Sequence, residues 1–155
     1  MPCEPGDRLE RFTHAQRAGI DARQVDQDRT LGAIHDLETA LASAAPGREE
    51  AWRDAVLAAL EDLDRAAAEE QANGDQPDSL LSDISRTQSR LRTRVRGVRA
   101  QYGQLRSGIS ELRRELGVPT EGAIDFADVR QRVAWLLAAL RHQRARESDL
   151  IYEAY

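Results

Sequence analysis

"LRTRVRGVRAQYGQLRSGISELRREL", residues 91–116, is both the most basic and the most regular stretch of an acidic chain. Its apolar residues are Leu91, Val95, Val98, Tyr102, Leu105, Ile109, Leu112 and Leu116, and the gaps between them alternate four and three without a break. That spacing keeps one side of an α-helix apolar over its whole length, the pattern by which helices pack side by side. With Leu91 at heptad position d and Val95 at a, Arg92, Arg99, Arg106 and Arg113 all fall at e. Side chains at e flank the seam, where a long cationic chain covers the core edge and pairs across it.

The arginines therefore call for an acidic helix opposite. Residues 1–80 carry eight arginines and eighteen acids, whereas residues 81–116 carry nine arginines and three acids. Asp54 and Glu61 are seven apart, as are Asp62 and Glu69, so a second helix over residues 49–70 repeats with the period of the arginine stripe. Nucleic-acid binding would need basic charge left over after such pairing, together with exposed rings for stacking. The net charge is −5 and Tyr102 lies on the seam, so a nucleic-acid partner is not expected.

Three further helices follow from the same periodicity. Leu31, Ile34, Leu37 and Leu41 share a face over residues 26–44, ahead of "APG". Leu9, Phe12 and Ile20 recur near helical spacing and suggest a short leading helix over residues 8–20, interrupted by Gly19 and the acidic "DARQVDQD". The second helix opens after Pro46–Gly47 with Glu49 and Glu50 at its positive end, and buries Trp52, Val56, Ala59, Leu60 and Leu63. It closes in "QANGDQPDS". The third is read as one rod from residue 78 or 79 to Leu116, about 57 Å long for roughly 38 residues. "GVPTEGAI" stops it. The fourth starts from Asp125 as N-cap, with Val129, Val133, Leu136, Leu140, Leu150 and Ala154 in 3–4 spacing, Trp135 and Leu137 broadening the face. The expected fold is all-α: an antiparallel up-down four-helix bundle over residues 26–155 behind an N-terminal segment 1–25.

Composition agrees. Charged residues make up 32% of the 155 and aromatics only 5%, too few ring and β-branched residues for a sheet protein. All 22 basic residues are arginine, which leaves no lysine side-chain amine for acylation. The single cysteine, Cys3, has no internal disulfide partner, so a reducing, cytoplasmic setting is expected. "MPCEPGDRLE" lacks a basic start followed by an apolar run, so no signal peptide is expected. No apolar window approaches the length of a membrane span.

No phosphate-binding glycine loop, CxxC pair or nucleophile elbow is present. The histidines are His14, His35 and His142, dispersed along the chain. Three polar residues fall where the seam expects apolar ones: Gln88 at an a position in the third helix, and Gln143 and Glu147 on the buried side of the fourth. Buried polar groups must be hydrogen-bonded or hydrated, so these are either register-fixing contacts or the remnant of an internal polar site.

Three stretches, "DRTLGAIHDLETAL", "WRDAVLAALEDLDRAAAEE" and "LLAALRHQRARESDLIYEAY", come in an order that resembles the hemerythrin-like, cation-binding four-helix domains. The resemblance spans residues 26–155. It implies a four-helix fold; members of that family hold two irons through histidines and carboxylates and bind dioxygen or sense oxidants. Asp28 stands where a first-helix histidine is expected, Ala67 and Gln71 where the second helix has His and Glu, and Leu91 at the third-helix position. His142 is one residue out of phase, with Gln143 in its place. Only Asp28 and Glu147 keep ligand-capable chemistry.

The sequence thus points to a non-catalytic binding or scaffold protein, a metal-free relative of that family that presents a helical face to a protein partner or to a second copy in a homodimer. The long third helix and the tail "LIYEAY", with Tyr152 and Tyr155, are the expected surfaces. The alternative is a divergent iron protein using Asp28, His35, His142 and Glu147.

Overall fold

The computed structural model describes residues 12–43, 46–118 and 125–155; Cys3, Leu9 and most of the "GVPTEGAI" loop lie outside them. The described residues form five α-helices and no strand: α1 His14–Ala42, α2 Glu49–Gly74, α3 Leu80–Thr87, α4 Arg92–Gly117 and α5 Phe126–Ala154.

Local chemistry sets the ends. Thr13 Oγ1 accepts from Gln16 N at 3.1 Å while Gln16 Oε1 accepts from Thr13 N at 3.0 Å, a reciprocal cap that satisfies two otherwise unpaired amides. It starts α1 well before residue 26, so the leading helix and the first helix are one element, and the expected boundary at residue 25 falls inside it. Before α2, Gly47 takes φ 73°, a left-handed conformation suited to a residue without Cβ. Ser79 caps α3 through Ser82 N, and Asp125 caps α5 through Asp128 N.

The expected single rod over residues 79–116 is two helices. Gln88 leaves helical geometry at φ −119°, ψ 80°, and a single 3-10 turn over Ser89–Leu91 restarts the chain as α4. Gln88 is therefore a half-buried cap of α3 and not a buried a position; its Nε2 donates to Ala154 O at 3.3 Å, tying the break to the end of α5. The heptad register, which begins at Leu91, begins at the break. From there all eight seam residues are buried.

α1 packs mainly on α2, α2 on α4 and α4 on α5, while α3 lies against α4 and α5. Two apolar clusters result. The larger joins Ile34, Leu37, Val56, Leu60, Leu63, Ile109 and Val133, each at most 1% exposed, and burial of a side chain of this kind contributes about 1.5–3 kcal/mol. At its rim the Trp52 ring meets Phe126 edge-on at 5.0 Å. The smaller cluster holds Leu81, Ile84, Leu91, Val95, Val98 and Leu150. Two residues expected on the core faces are outside them: Leu31 is 47% and Trp135 70% exposed. The buried face of α1 follows Asp26, Thr30, Ala33, Ile34 and Leu37 instead, which turns Leu31 outward.

Candidate functional site

The division between the two clusters falls at one level of the fold, and polar residues occupy it. On α4 it lies between Val98 and Tyr102, and on α5 between Leu140 and Leu150. Asp26, Thr30, Gln143 and Glu147 are the buried polar residues of this layer, each at most 8% exposed. Thr30 Oγ1 donates to Glu70 Oε2 at 2.6 Å, and Tyr102 OH donates to the same oxygen at 3.0 Å. Asn73 Nδ2 donates to both oxygens of Asp26 at 3.0 Å. Arg23 Nε meets Glu147 Oε1 at 3.2 Å. Gln143 Nε2 donates to Val98 O at 2.8 Å, while its Oε1 is buried without a partner.

Electrostatics follow from this crowding. Burial pushes the Glu147 carboxyl above its ordinary pKa; the Arg23 guanidinium opposes the rise and the Glu70 charge adds to it. Burial also pushes the Tyr102 phenol far up, and the neighbouring Glu70 carboxylate reinforces the shift. Tyr102 is thus a neutral donor throughout the physiological range.

Beside the layer opens a cavity of about 650 Å³ between the first turns of α1, the end of α2, α3 and α5. Ala15, Ala18, Gly19 and Ala22 form one wall and Leu80 and Leu81 another; Arg23, Asp26, Glu70, Asn73 and Glu147 form its polar end. Its volume lies within the range of roughly 300–1,000 Å³ common for small-molecule pockets, which in helical proteins form between helices.

The arginine stripe faces inward along α2. Arg113 Nη1 lies 2.5 Å from Asp64 Oδ2, and Arg106 Nη1 donates to Gln71 Oε1 at 2.7 Å. Arg99 Nη2 donates to Gly74 O at 3.0 Å and Ser82 Oγ at 2.9 Å, and its Nε lies 3.3 Å from Asp75 without hydrogen-bond geometry. Arg92 departs from the pattern: it donates to Ser85 O at the end of α3. Of the acids expected opposite it, Glu61 lies 4.0 Å from Arg113, whereas Asp62 pairs with Arg65 on its own helix and Glu69 with Arg29 of α1, so the stripe otherwise meets Asp64 and Asp75.

The residues nominated as metal ligands are not brought together. Asp28 is exposed, accepts from Gln24 Nε2 at 2.8 Å and lines a separate shallow groove between α1 and α2. His35 and His142 are exposed, and Glu147 is buried against a guanidinium. Among the described residues no three His, Cys, Asp or Glu side chains are placed to hold a metal ion together. The donor set does not fit a di-iron centre. In the tail, Leu150 is buried, Tyr152 is 67% exposed, and Tyr155 donates to Asp83 Oδ2 at 2.5 Å with its ring edge-on to Phe12 at 5.5 Å. No described helix is long and apolar enough to cross a membrane.

Sequence reasoning found Gln143 and Glu147 and missed Asp26, Thr30, Glu70, Asn73 and Arg23. The missed signal was the one that found the others: a seam carried through polar positions. Ala33 and Leu37 extend backward by 3–4 steps to Thr30 and Asp26, and Leu63 and Ala67 extend forward to Glu70. Compared with known proteins, the chain matches no family model, no curated protein and no solved structure.

Proposed function

We propose that the chain is a non-catalytic binding protein, built as an antiparallel up-down bundle of α1, α2, α4 and α5, whose ligand occupies the cavity beside the polar layer. Partner positions support the arrangement: Leu41, Thr30 and Asp26 of α1 meet Trp52, Glu70 and Asn73 of α2 in reverse order. Arg113, Arg106 and Arg99 of α4 likewise meet Asp64, Gln71 and the Gly74 carbonyl of α2. The observation that carries the function is the convergence of Asp26, Glu70, Glu147, Asn73 and Arg23 at one end of a cavity whose facing walls are alanine, glycine and leucine. The cavity opens to solvent past Ala15, Ala18 and Ala22, which are exposed, so a ligand can reach its buried polar end. Ligand-observed NMR with a small-fragment set tests it against Ala22→Leu, which narrows the cavity. Fragments that bind the parent and not the variant support the reading; a set that never distinguishes the two overturns it.

Docking of a protein partner is a second reading, favoured by Trp135, which stands 70% exposed on α5. Retention of the partner, or of self-association seen by light scattering, in Trp135→Ser would count against it.

A further inference from the structure

We infer that the cavity takes an amphiphilic amine: a primary ammonium head on an apolar body. The inference rests on the binding reading above and adds the chemistry of the ligand.

The charge balance of the lining points to a cation. Among the described residues that line it, Arg23 is the one cation, against Asp26, Glu70, Asp78 and Glu147. Two of these carboxylates are held by neutral donors. Asp26 accepts from the Asn73 amide, with Arg29 at 3.8 Å drawn to Glu69 on the surface. Glu70 accepts two hydroxyls, both on Oε2. Arg144 lies outside the lining and donates to Gln27 O. Hydroxyl and amide donors satisfy hydrogen bonding but bring no full charge, so compensation falls to Arg23 on Glu147 and to Arg29, 3.8 Å from Asp26, with Arg144 acting on Glu147 from farther off. Glu70 has no guanidinium against it among the described residues, and a cation facing it would lower the cost of its burial.

A second, independent observation lies in the geometry. Glu147, 8% exposed, receives Arg23 on Oε1, and among the described residues nothing donates to its Oε2. Glu70 Oε1 is in the same position. Both residues line the cavity and the narrow cleft of about 30 Å³ that continues from it toward Tyr102. Neither oxygen is a buried atom cut off from every partner, so both are open to a donor that enters the cavity, and an ammonium supplies three with a full charge. A bare metal ion would need a converging oxygen cage, which the described residues do not form.

The rest of the cavity fixes the other half of the ligand. The α1 wall is alanine and glycine; at Gly19 an added Cβ would meet Leu80 at 3.2 Å, so the two walls approach closely there. Leu80 and Leu81 close the opposite side. An alkyl or aryl body suits this slot, and a fully hydrophilic cation would leave it unfilled.

Isothermal titration calorimetry at neutral pH with octylamine, octanol and octanoate tests the class, since the three share one apolar body. Octylamine is expected to bind about tenfold or more tightly than octanol, with octanoate weakest. Glu70→Gln should weaken octylamine about tenfold and leave octanol unchanged; Asp26→Asn serves if the first variant does not fold. Ala22→Leu should abolish octylamine binding, and persistence there would place the amine on the surface and overturn the inference. Equal binding of octylamine and octanol, or indifference to Glu70→Gln, would overturn the amine while leaving a ligand pocket standing. Failure of all three compounds to bind would remove the pocket and the amine together.

Discussion

Replacing the stripe arginines one at a time with methionine, which keeps the apolar stem and removes the guanidinium, separates an inward-facing stripe from a solvated one. Arg99 is the informative member. It donates to Gly74 O, a carbonyl at the open end of α2, and to Ser82 Oγ, so one guanidinium joins α2, α3 and α4. Hydrogen bonds from charged donors contribute about 1.5 kcal/mol each, and a cation at a helix C-terminus adds about 0.5 kcal/mol. The side chain is 33% exposed and Asp75 56% exposed, so the ion pair adds little and the bonds are partly screened. The expected loss for Arg99→Met is therefore about 2 kcal/mol, or about 4–8 °C in Tm for a domain of this size. Arg113→Met should cost a similar amount, roughly 2 kcal/mol, because it leaves Asp64, 13% exposed, with Arg106 at 3.8 Å.

The remaining two grade the series. Arg106 makes one close contact, to a neutral Gln71 oxygen, and its replacement should cost about 1 kcal/mol. Arg92 is exposed and bonded to Ser85 O, and about 0.5 kcal/mol is expected. Urea denaturation followed by far-UV circular dichroism reads all four, provided the m-value is unchanged. Four variants within about 0.5 kcal/mol of the parent would refute the inward-facing stripe.

Three other outcomes follow from single residues. Gly97 lies within α4 and a Cβ added there meets nothing within 4 Å, so Gly97→Ala should stabilise by about 0.5–1 kcal/mol in the same denaturation assay. Tyr102→Phe removes one of the two hydroxyls held by Glu70 and should cost about 1–2 kcal/mol, whereas a change under about 0.5 kcal/mol would mean the bond contributes nothing net. Glu147 binds its proton more tightly in the folded state than its ordinary value of 4.5, so its contribution is full at low pH and is lost as pH rises through the folded pKa. Glu147→Gln should flatten the stability profile between 4.5 and the folded pKa, by at most about 1.4 kcal/mol per pH unit; a parallel profile there would show that the carboxyl is not shifted.

The all-helical class was legible because it rests on a repeated signal: eight seam residues at unbroken 4–3 spacing are all buried, as a heptad requires. Breaks and rotations were harder to read. "ISRTQSRL" contains neither Gly nor Pro, so nothing local announced that α3 ends at Thr87; tertiary contacts of Gln88 with the end of α5 accompany the turn. Leu31 shares helical spacing with Ile34, Leu37 and Leu41, but the buried arc of α1 is set by Thr30, Ile34 and Leu37, and Leu31 lies outside that arc. The acid partners of the stripe shifted for a similar reason. Asp62 and Glu69 have the right period but are exposed, while Asp64 lies on the flank that meets α4. Period gives spacing along a helix, and only packing gives its rotation.

That limit also explains why the polar layer was half seen. Gln143 alone would be an ordinary register device: one amide, one bond to Val98 O, inside a helix–helix seam. Asp26, Glu70 and Glu147 are a different matter. Like charges gathered in a partly dehydrated place raise one another's cost, and apolar residues of similar volume there would generally stabilise the fold as well or better. Register needs one polar contact, not three carboxylates drawn from three helices onto one cavity wall. Glu70 is satisfied by hydroxyls alone and Asp26 by an amide with Arg29 only at 3.8 Å, which leaves the layer hydrogen-bonded with more acids than close cations. A ligand that brings positive charge would complete it, and that is the ground on which the binding function is proposed for this end of the molecule.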